Sequence, residues 1–229
     1  IVRELVGGLY FGEKSQGVNA DGLRYVSETL EYDEAQIRRV VVAAFDLASG
    51  RRGLLHNIHK SNVLLSSELW NNVVQDIHQH YPHVEVVHML VDAAATAMCL
   101  DPRQFDVMVM ENMFGDILSD QAGGVLGSLG LMPSACVGDN KSYFEPSHGS
   151  APDLCGLNIA NPYSMIGSLA LMFHIAMDRE DVANRVWSAL FRVLERGTVT
   201  QDLAVHSSSF NVVTTSDFGS SVLEELAIK

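Results

Sequence analysis

Two hydrophobic rhythms alternate along the chain. Apolar residues recur at helical spacing at Ile37, Val40, Val41, Ala44, Phe45 and Ala48. Asp33 stands three residues before Gln36 as a capping box, and Gly50 with Arg51 and Arg52 closes the segment. A second helical face runs through Leu69, Trp70, Val73, Val74 and Ile77, opening at Ser66 or Ser67 and ending before Pro82. Apolar runs of strand length lie at residues 54–58, 84–91 and 105–110, and Asp92 begins a short Ala-rich helix. Near the start, residues 2–5 and 9–11 read as strands around Gly7-Gly8, residues 17–22 as a polar loop and residues 24–32 as a strand. Gly123, Gly124, Gly127 and Gly130 mark a flexible or closely packed passage, and residues 143–161 read as a loop. Asn161 caps a long helix with Pro162 at its first position. Arg179 or Asp181 starts the next, with Val182, Val186, Leu190 and Val193 on one face and Gly197 beyond its end. Residues 200–203 read as a strand end or loop, and Thr215 or Ser216 caps a last helix to Lys229. Strands alternating with helices predict an α/β fold.

Composition narrows the function class. With 229 residues, 47% of them hydrophobic and 19% charged, the chain has room for one large or two small domains. A net charge of -13 argues against nucleic acid or an anionic membrane as partner. An acidic protein that acts on an acidic substrate must place its few cations locally or recruit a metal. The longest uncharged run, residues 154–177, is interrupted by Asn158, Asn161, Pro162 and His174, so it reads as a buried core helix rather than a membrane span. Cys99, Cys136 and Cys155 form no CxxC pair and no disulfide framework, which points to a reducing, cytoplasmic setting. The chain opens on strand-like residues without an initiator Met, which suggests an absent N-terminal piece and leaves an organellar leader open.

The chemistry concentrates in Glu111-Asn112-Met113-Phe114-Gly115-Asp116-Ile117-Leu118-Ser119-Asp120, where an apolar strand turns into a helix. Asp116 and Asp120 are four apart, so on a helix both carboxylates project from one face. A hard divalent cation such as Mg²⁺ or Mn²⁺ relieves their repulsion, while a solvated acidic face is the plainer reading of the spacing alone. Four further clusters carry reactive groups: residues 2–12 with Arg3 and Tyr10, residues 58–63 with Lys60, residues 91–96 with Asp92, and residues 145–162 with His148 and Asp153. Singly, each has an ordinary structural explanation: a surface charge at Arg3, a packed aromatic at Tyr10, a solvated lysine, a helix N-cap at Asp92 and a Gly/Pro turn. His78, His80, His83 and His88 straddle a helix end and a strand with no cysteine nearby, which fits a polar surface better than zinc. No GxGxxG occurs, so a conventional Rossmann site has no support.

The ten-residue string closely resembles the metal-binding signature of the decarboxylating β-hydroxyacid dehydrogenases, in the form found in their 3-isopropylmalate dehydrogenase branch. The other four clusters match that pattern in order, from Arg3 to about Leu203. The resemblance implies a two-domain α/β fold with a cleft between the domains and a loop-built, non-conventional NAD site. Residues 1–126 would form the central dimerisation and substrate–metal domain, and residues 127–229 the C-terminal part of the cofactor-binding domain. It also implies a homodimer with shared active sites, NAD and Mg²⁺ or Mn²⁺ as cofactors, and a small 2-hydroxy diacid as substrate. The implied reaction is oxidative decarboxylation of 3-isopropylmalate to 4-methyl-2-oxopentanoate in leucine biosynthesis. A malate, tartrate or homoisocitrate enzyme and a non-catalytic structural paralogue or fragment are the alternatives. By resemblance Arg3 binds a substrate carboxylate, in keeping with the bidentate fit of a guanidinium. Tyr10 is an acid/base group, Lys60 the base on the substrate hydroxyl, Val63 a contact to the substrate's side group and Asn62 a neighbour of the nicotinamide. Asp92, Asp116 and Asp120 hold the metal, Asp92 also meeting substrate, and Lys60 and Asp92 serve the neighbouring subunit's site. His148 lies against adenine, Gly149, Ser150 and Ala151 approach with their backbone, Asp153 accepts from the ribose, and Asn161 completes the cofactor site. Two positions depart from the family: His59, where an acidic or small residue is usual, and Ala93, where Asn is usual.

Overall fold

The structure, a computed structural model, describes residues 1–228. The chain divides into two compact units, Ile1–Ala122 and Gly123–Lys229. The first comprises β1 (Val2–Arg3), β2 (Lys14–Val18), β3 (Arg24–Glu28), α1 (Glu34–Ser49), β4 (Leu54–His59), α2 (Leu65–His78), β5 (Glu85–Leu90), α3 (Val91–Leu100) and β6 (Val107–Met110). It ends in α4 (Asn112–Leu126), a helix that runs four residues past the unit boundary.

Four strands form a parallel sheet in the order β1-β6-β4-β5, with Arg3 opposite Met110, Leu55 opposite Val107 and Ile58 opposite Met89. Both sheet faces are covered, which is why β6 reads as an unbroken apolar run with all four residues buried. Val107 and Val109 pack with Phe45 of α1 and Trp70 of α2, whereas Met108 and Met110 pack with Met98 of α3 and Phe114 of α4. The capping box at Asp33 and Gln36 forms as the sequence predicts, with both reciprocal bonds made at 2.8 and 3.0 Å.

Three local readings change. Residues 9–11 are not a strand: Gly8 adopts φ 76°, and Gly8–Tyr10 closes as a 3₁₀ turn. The segment read as a loop from residue 17 begins inside β2, which pairs antiparallel with β3 in a hairpin exposed on both faces. α2 begins at Leu65 without a side-chain cap, because the Ser67 hydroxyl instead accepts the Lys60 N–H at 3.0 Å.

The second unit packs an antiparallel hairpin, β7 (Pro133–Val137) and β8 (Ser142–Pro146), against α5 (Tyr163–Ile175). α6 (Glu180–Glu195), the short parallel pair β9 (Thr198–Val199) and β10 (Asn211–Val212), and α7 (Thr215–Ala227) complete it around Tyr163, Leu190, Val193 and Phe218. β8 occupies the start of the predicted loop. Gly167 allows the close approach of α5 to the hairpin, since a Cβ there would lie 2.9 Å from both Pro133 and Trp187. Pro162 is the N-cap of α5, and Asn161 caps it from one residue further out by accepting the Tyr163 N–H at 3.0 Å. α5 is only partly the core helix expected, with Met165, Leu169 and Ile175 exposed. Thr214, rather than Thr215 or Ser216, caps α7; the predicted helix end at Lys229 lies outside the described residues. Among the described residues no helix is long and apolar enough to cross a membrane.

Candidate active site

Because the four-stranded sheet is parallel, all its strands end at one edge, the edge where α/β proteins place ligands. β1 delivers Arg3 there, β4 leads to Lys60, β5 to Asp92, and β6 to Glu111, Asn112 and the first turns of α4 with Asp116. Arg3 is clamped on α4. Its Nε and Nη2 donate to Asn112 Oδ1 at 3.1 and 2.8 Å, and its Nη1 donates to Asp116 Oδ1 at 2.7 Å. A Cβ at position 115 would lie 2.4 Å from Arg3 Cγ, so Gly115 is what lets the arginine stem cross the helix. The Tyr10 hydroxyl donates to the other Asp116 oxygen at 2.7 Å, and the Arg3 guanidinium carbon lies 5.7 Å from the Tyr10 ring centre, within cation–π range. The Tyr10 hydrogen bond, with Arg3 behind it, holds the Asp116 carboxyl below the usual range and raises the Tyr10 phenol in turn.

Lys60 Nζ lies 3.0 Å from Asp92 Oδ1, and that contact lowers the Asp92 carboxyl. Asn62 and Val63 are exposed in the turn between β4 and α2, and Ala93 is exposed on α3. His59 is buried; its Nδ1 accepts the Ser61 N–H at 3.2 Å, and burial followed by the neighbouring His88 pushes its imidazole below the ordinary value. His59, one of the two positions that depart from the resembled pattern, therefore holds the backbone turn that follows Lys60.

Asp116 and Asp120 stand on successive turns of α4 and are hard oxygen donors suited to Mg²⁺ or Mn²⁺. Asp92 is tied to Lys60 instead, and among the described residues no three acidic, His or Cys side chains converge as a metal site. The donor set of one chain fits a divalent cation in kind and falls short in number.

Three supports of the cluster escaped sequence reasoning. Glu111 caps α4 by accepting the N–H groups of Met113 and Phe114 at 3.1 and 2.8 Å. The buried Tyr32 hydroxyl donates to Glu111 and accepts the Asn112 N–H, both at 3.0 Å, and burial pushes its phenol well above the ordinary value. Asn112 donates to the Gly7 carbonyl at 3.1 Å while accepting from Arg3. An acid directly before a helix is a readable cap signal, but Tyr32, 79 residues away, carried none.

The second unit holds a separate cavity of about 810 Å³, a typical size for a cofactor site. His148, Gly149, Ser150, Ala151 and Asn161 line it with the 127–130 loop, Leu154 and Cys155. His148 places its Nε2 2.9 Å from the Ser164 hydroxyl and its Nδ1 2.8 Å from the Gly149 carbonyl. Ala151 sits at φ 42°, a left-handed conformation that exposes the backbone of this stretch at some cost. Asp153 is exposed in the 3₁₀ turn Pro152–Leu154 and is not among the lining residues. Asn62 belongs to the first unit. The lining is largely apolar with a few polar groups, as small-molecule and cofactor sites generally are.

Residues 1–222 match the model of the isocitrate/isopropylmalate dehydrogenase family. A 3-isopropylmalate dehydrogenase of Hydrogenovibrio crunogenus is 45% identical over 229 residues, covering 99% of this chain and 63% of the relative. A second, from Shouchella clausii, is 45% identical over 230 residues, covering 100% of this chain and again 63% of the relative. The chain thus spans about 63% of the length of these curated relatives. Among solved structures, the isocitrate dehydrogenase from Methylococcus capsulatus superimposes with a TM-score of 0.88 at 35% identity, over 98% of this chain and 66% of that one. Dehydrogenases of this family generally use NAD(P) and a divalent metal. With the family model matched over nearly the whole length and the reactive residues gathered on one sheet edge, the chain belongs to the isocitrate/isopropylmalate dehydrogenase family.

Proposed function

We propose that this protein is an NAD-dependent 3-isopropylmalate dehydrogenase of leucine biosynthesis, cytoplasmic, and active as a homodimer with shared sites. In this reading residues 1–126 are the dimerisation and substrate–metal domain and residues 127–229 the C-terminal part of the cofactor domain. The observation that carries it is the sheet edge on which Arg3, Tyr10, Lys60, Asp92 and Asp116 all stand.

Arg3 uses three of its five N–H groups on Asn112 and Asp116. The two left over, one on each terminal nitrogen, present a fork to a substrate carboxylate. Val63 contacts the substituent on C3. Lys60, held by Asp92, takes the proton from the substrate hydroxyl. Tyr10 holds its proton toward Asp116 and delivers it to the enol carbon left after loss of CO₂. A Mg²⁺ or Mn²⁺ held by Asp116 and Asp120 with Asp92 of a second copy would supply charge stabilisation, and NAD⁺ would accept the hydride. His148, Gly149, Ser150, Ala151 and Asn161 hold the dinucleotide, with Asn62 at its nicotinamide and Asp153 at its ribose.

Two features support the dimer. Asp92 is spent on Lys60 within one chain, and the β2–β3 hairpin exposes Val18, Tyr25 and Val26, an apolar load that an isolated two-stranded ribbon does not sustain. The test is turnover by the full-length protein with NAD⁺, Mn²⁺ and 3-isopropylmalate against malate, tartrate and homoisocitrate. Preference for 3-isopropylmalate is expected; a higher kcat/KM with another substrate, or no turnover with any, refutes the assignment.

A further inference from the structure

Besides residues 148–151 and 154–155, three stretches far apart in sequence wall the cavity of the second unit: the 127–130 loop, residues 159–161 and the turn after β9. One carboxylate meets all three. Asp202 Oδ2 accepts from the Ser128 hydroxyl and, at 3.0 Å, from Asn161 Nδ2, while Oδ1 accepts the Thr200 hydroxyl at 2.5 Å. Each bond continues into backbone. Ser128 Oγ accepts the Gly130 N–H at 3.0 Å, and Asn161 Oδ1 accepts the Tyr163 N–H at the start of α5. Gly130 permits the convergence, because a Cβ there would lie 2.7 Å from Asn161 Cβ. Burial pushes the Asp202 carboxyl up, but the donors from Ser128, Thr200 and Asn161 outweigh it and hold the group ionised at neutral pH.

We infer that Asp202 is a positioning residue of the cofactor cavity, whose carboxylate joins the three wall segments and so sets the affinity for the dinucleotide. The inference rests on the cofactor reading of this cavity given above. Its physical content is that Asn161 cannot orient itself. With Oδ1 taken by the helix N-terminus, the amide plane is fixed only if Nδ2 has an acceptor, and Asp202 is that acceptor. Removing it frees both Asn161 and the 127–130 loop, and a wall that must be ordered on binding lowers affinity.

Asp202→Asn tests this, since the amide keeps the shape but removes the negative charge, so Ser128, Thr200 and Asn161 lose their charged acceptor. Calorimetric titration of the full-length protein with NAD⁺ is expected to show binding about tenfold weaker than wild type, the scale of one lost charged hydrogen bond, with an unchanged far-UV circular dichroism spectrum. Adding Asn161→Ala to that variant should weaken binding little further, because the two act as one unit; a merely structural role predicts additive losses. Ser128→Ala deletes one donor and leaves the carboxylate in place, so it serves if Asp202→Asn does not fold. Weaker NAD⁺ binding by Ser128→Ala supports the assignment, and unchanged affinity in either folded variant overturns it. A wild-type protein that fails to bind NAD⁺ refutes the cofactor reading itself, and the role of Asp202 with it.

Discussion

Asp116→Asn separates the stability of the site from its metal chemistry. The carboxylate carries two contacts, Arg3 Nη1 on one oxygen and the Tyr10 hydroxyl on the other, each at 2.7 Å. An amide keeps one acceptor and turns the other into a donor, and the Tyr10 hydroxyl can rotate to accept from it. Arg3 stays in place through its two bonds to Asn112. The ion pair is open to solvent, with side-chain exposures of 24% and 49%, so its loss is worth at most about 1 kcal/mol. For a chain of this size that is a Tm lower by about 2–4 °C. Metal affinity responds differently. Loss of an outer-shell partner already costs a metal site about tenfold or more, and loss of a ligand costs at least that much. Thermal scans and Mn²⁺ calorimetry on the same preparation should therefore diverge: a small shift in Tm beside weakening of Mn²⁺ binding by at least about tenfold. Unchanged Mn²⁺ affinity would refute the metal role, and collapse of the fold would show that the surface-pair reasoning misjudged the site.

Lys60→Met should abolish oxidation of the hydroxyacid in the full-length enzyme while leaving NAD⁺ affinity nearly intact; normal turnover removes the base role. Tyr32→Phe should cost roughly 1–3 kcal/mol in urea unfolding, because it strips a donor from Glu111 and an acceptor from the Asn112 N–H in a buried setting. Asp202 has a folded-state pKa below its unfolded value of about 4, so its stabilisation is present above that pH and lost as pH falls through the lower folded value. Thermal scans should thus show the stability gap between wild type and Asp202→Asn shrinking below pH about 4, and a gap that widens there contradicts the sign. Cys155 is exposed on the cavity wall, so NAD⁺ should slow its alkylation by a maleimide, read by peptide mass spectrometry, while exposed Cys99 reacts at an unchanged rate.

What the sequence made legible was local or periodic. The Asp33 capping box needs only residues three apart, and the apolar face of α1 and the buried run of β6 follow from repeats of 3.6 residues and from burial on both sheet faces. The β2–β3 hairpin left no such trace, since none of its positions is buried enough to impose alternation. Gly8 was readable as a turn but not as the residue that converts a presumed strand at Tyr10 into a 3₁₀ turn. In the site, the reactive residue types could be named from motifs. Their partners could not: Arg3 meets Asp116 across 113 positions, Tyr10 across 106, and Asp202 reaches Ser128 across 74. Such pairings are set by the order of strands in a sheet or by loop packing, and neither is encoded within any window of residues.

The two-residue strand β1 also bears on how the protein comes into being. Val2 and Arg3 pair only with Val109 and Met110. During synthesis Arg3 therefore waits, without its strand partner, until the chain has grown past β6, and its bonds to Asn112 and Asp116 wait a few residues longer. Closing so long a loop is entropically costly and is rewarded by only two residue pairs, so β1 should dock late, onto a β6-β4-β5 sheet already formed. Arg3 is thus installed at the end of folding, and a nascent chain stalled before residue 109 would lack the strand partners that place it.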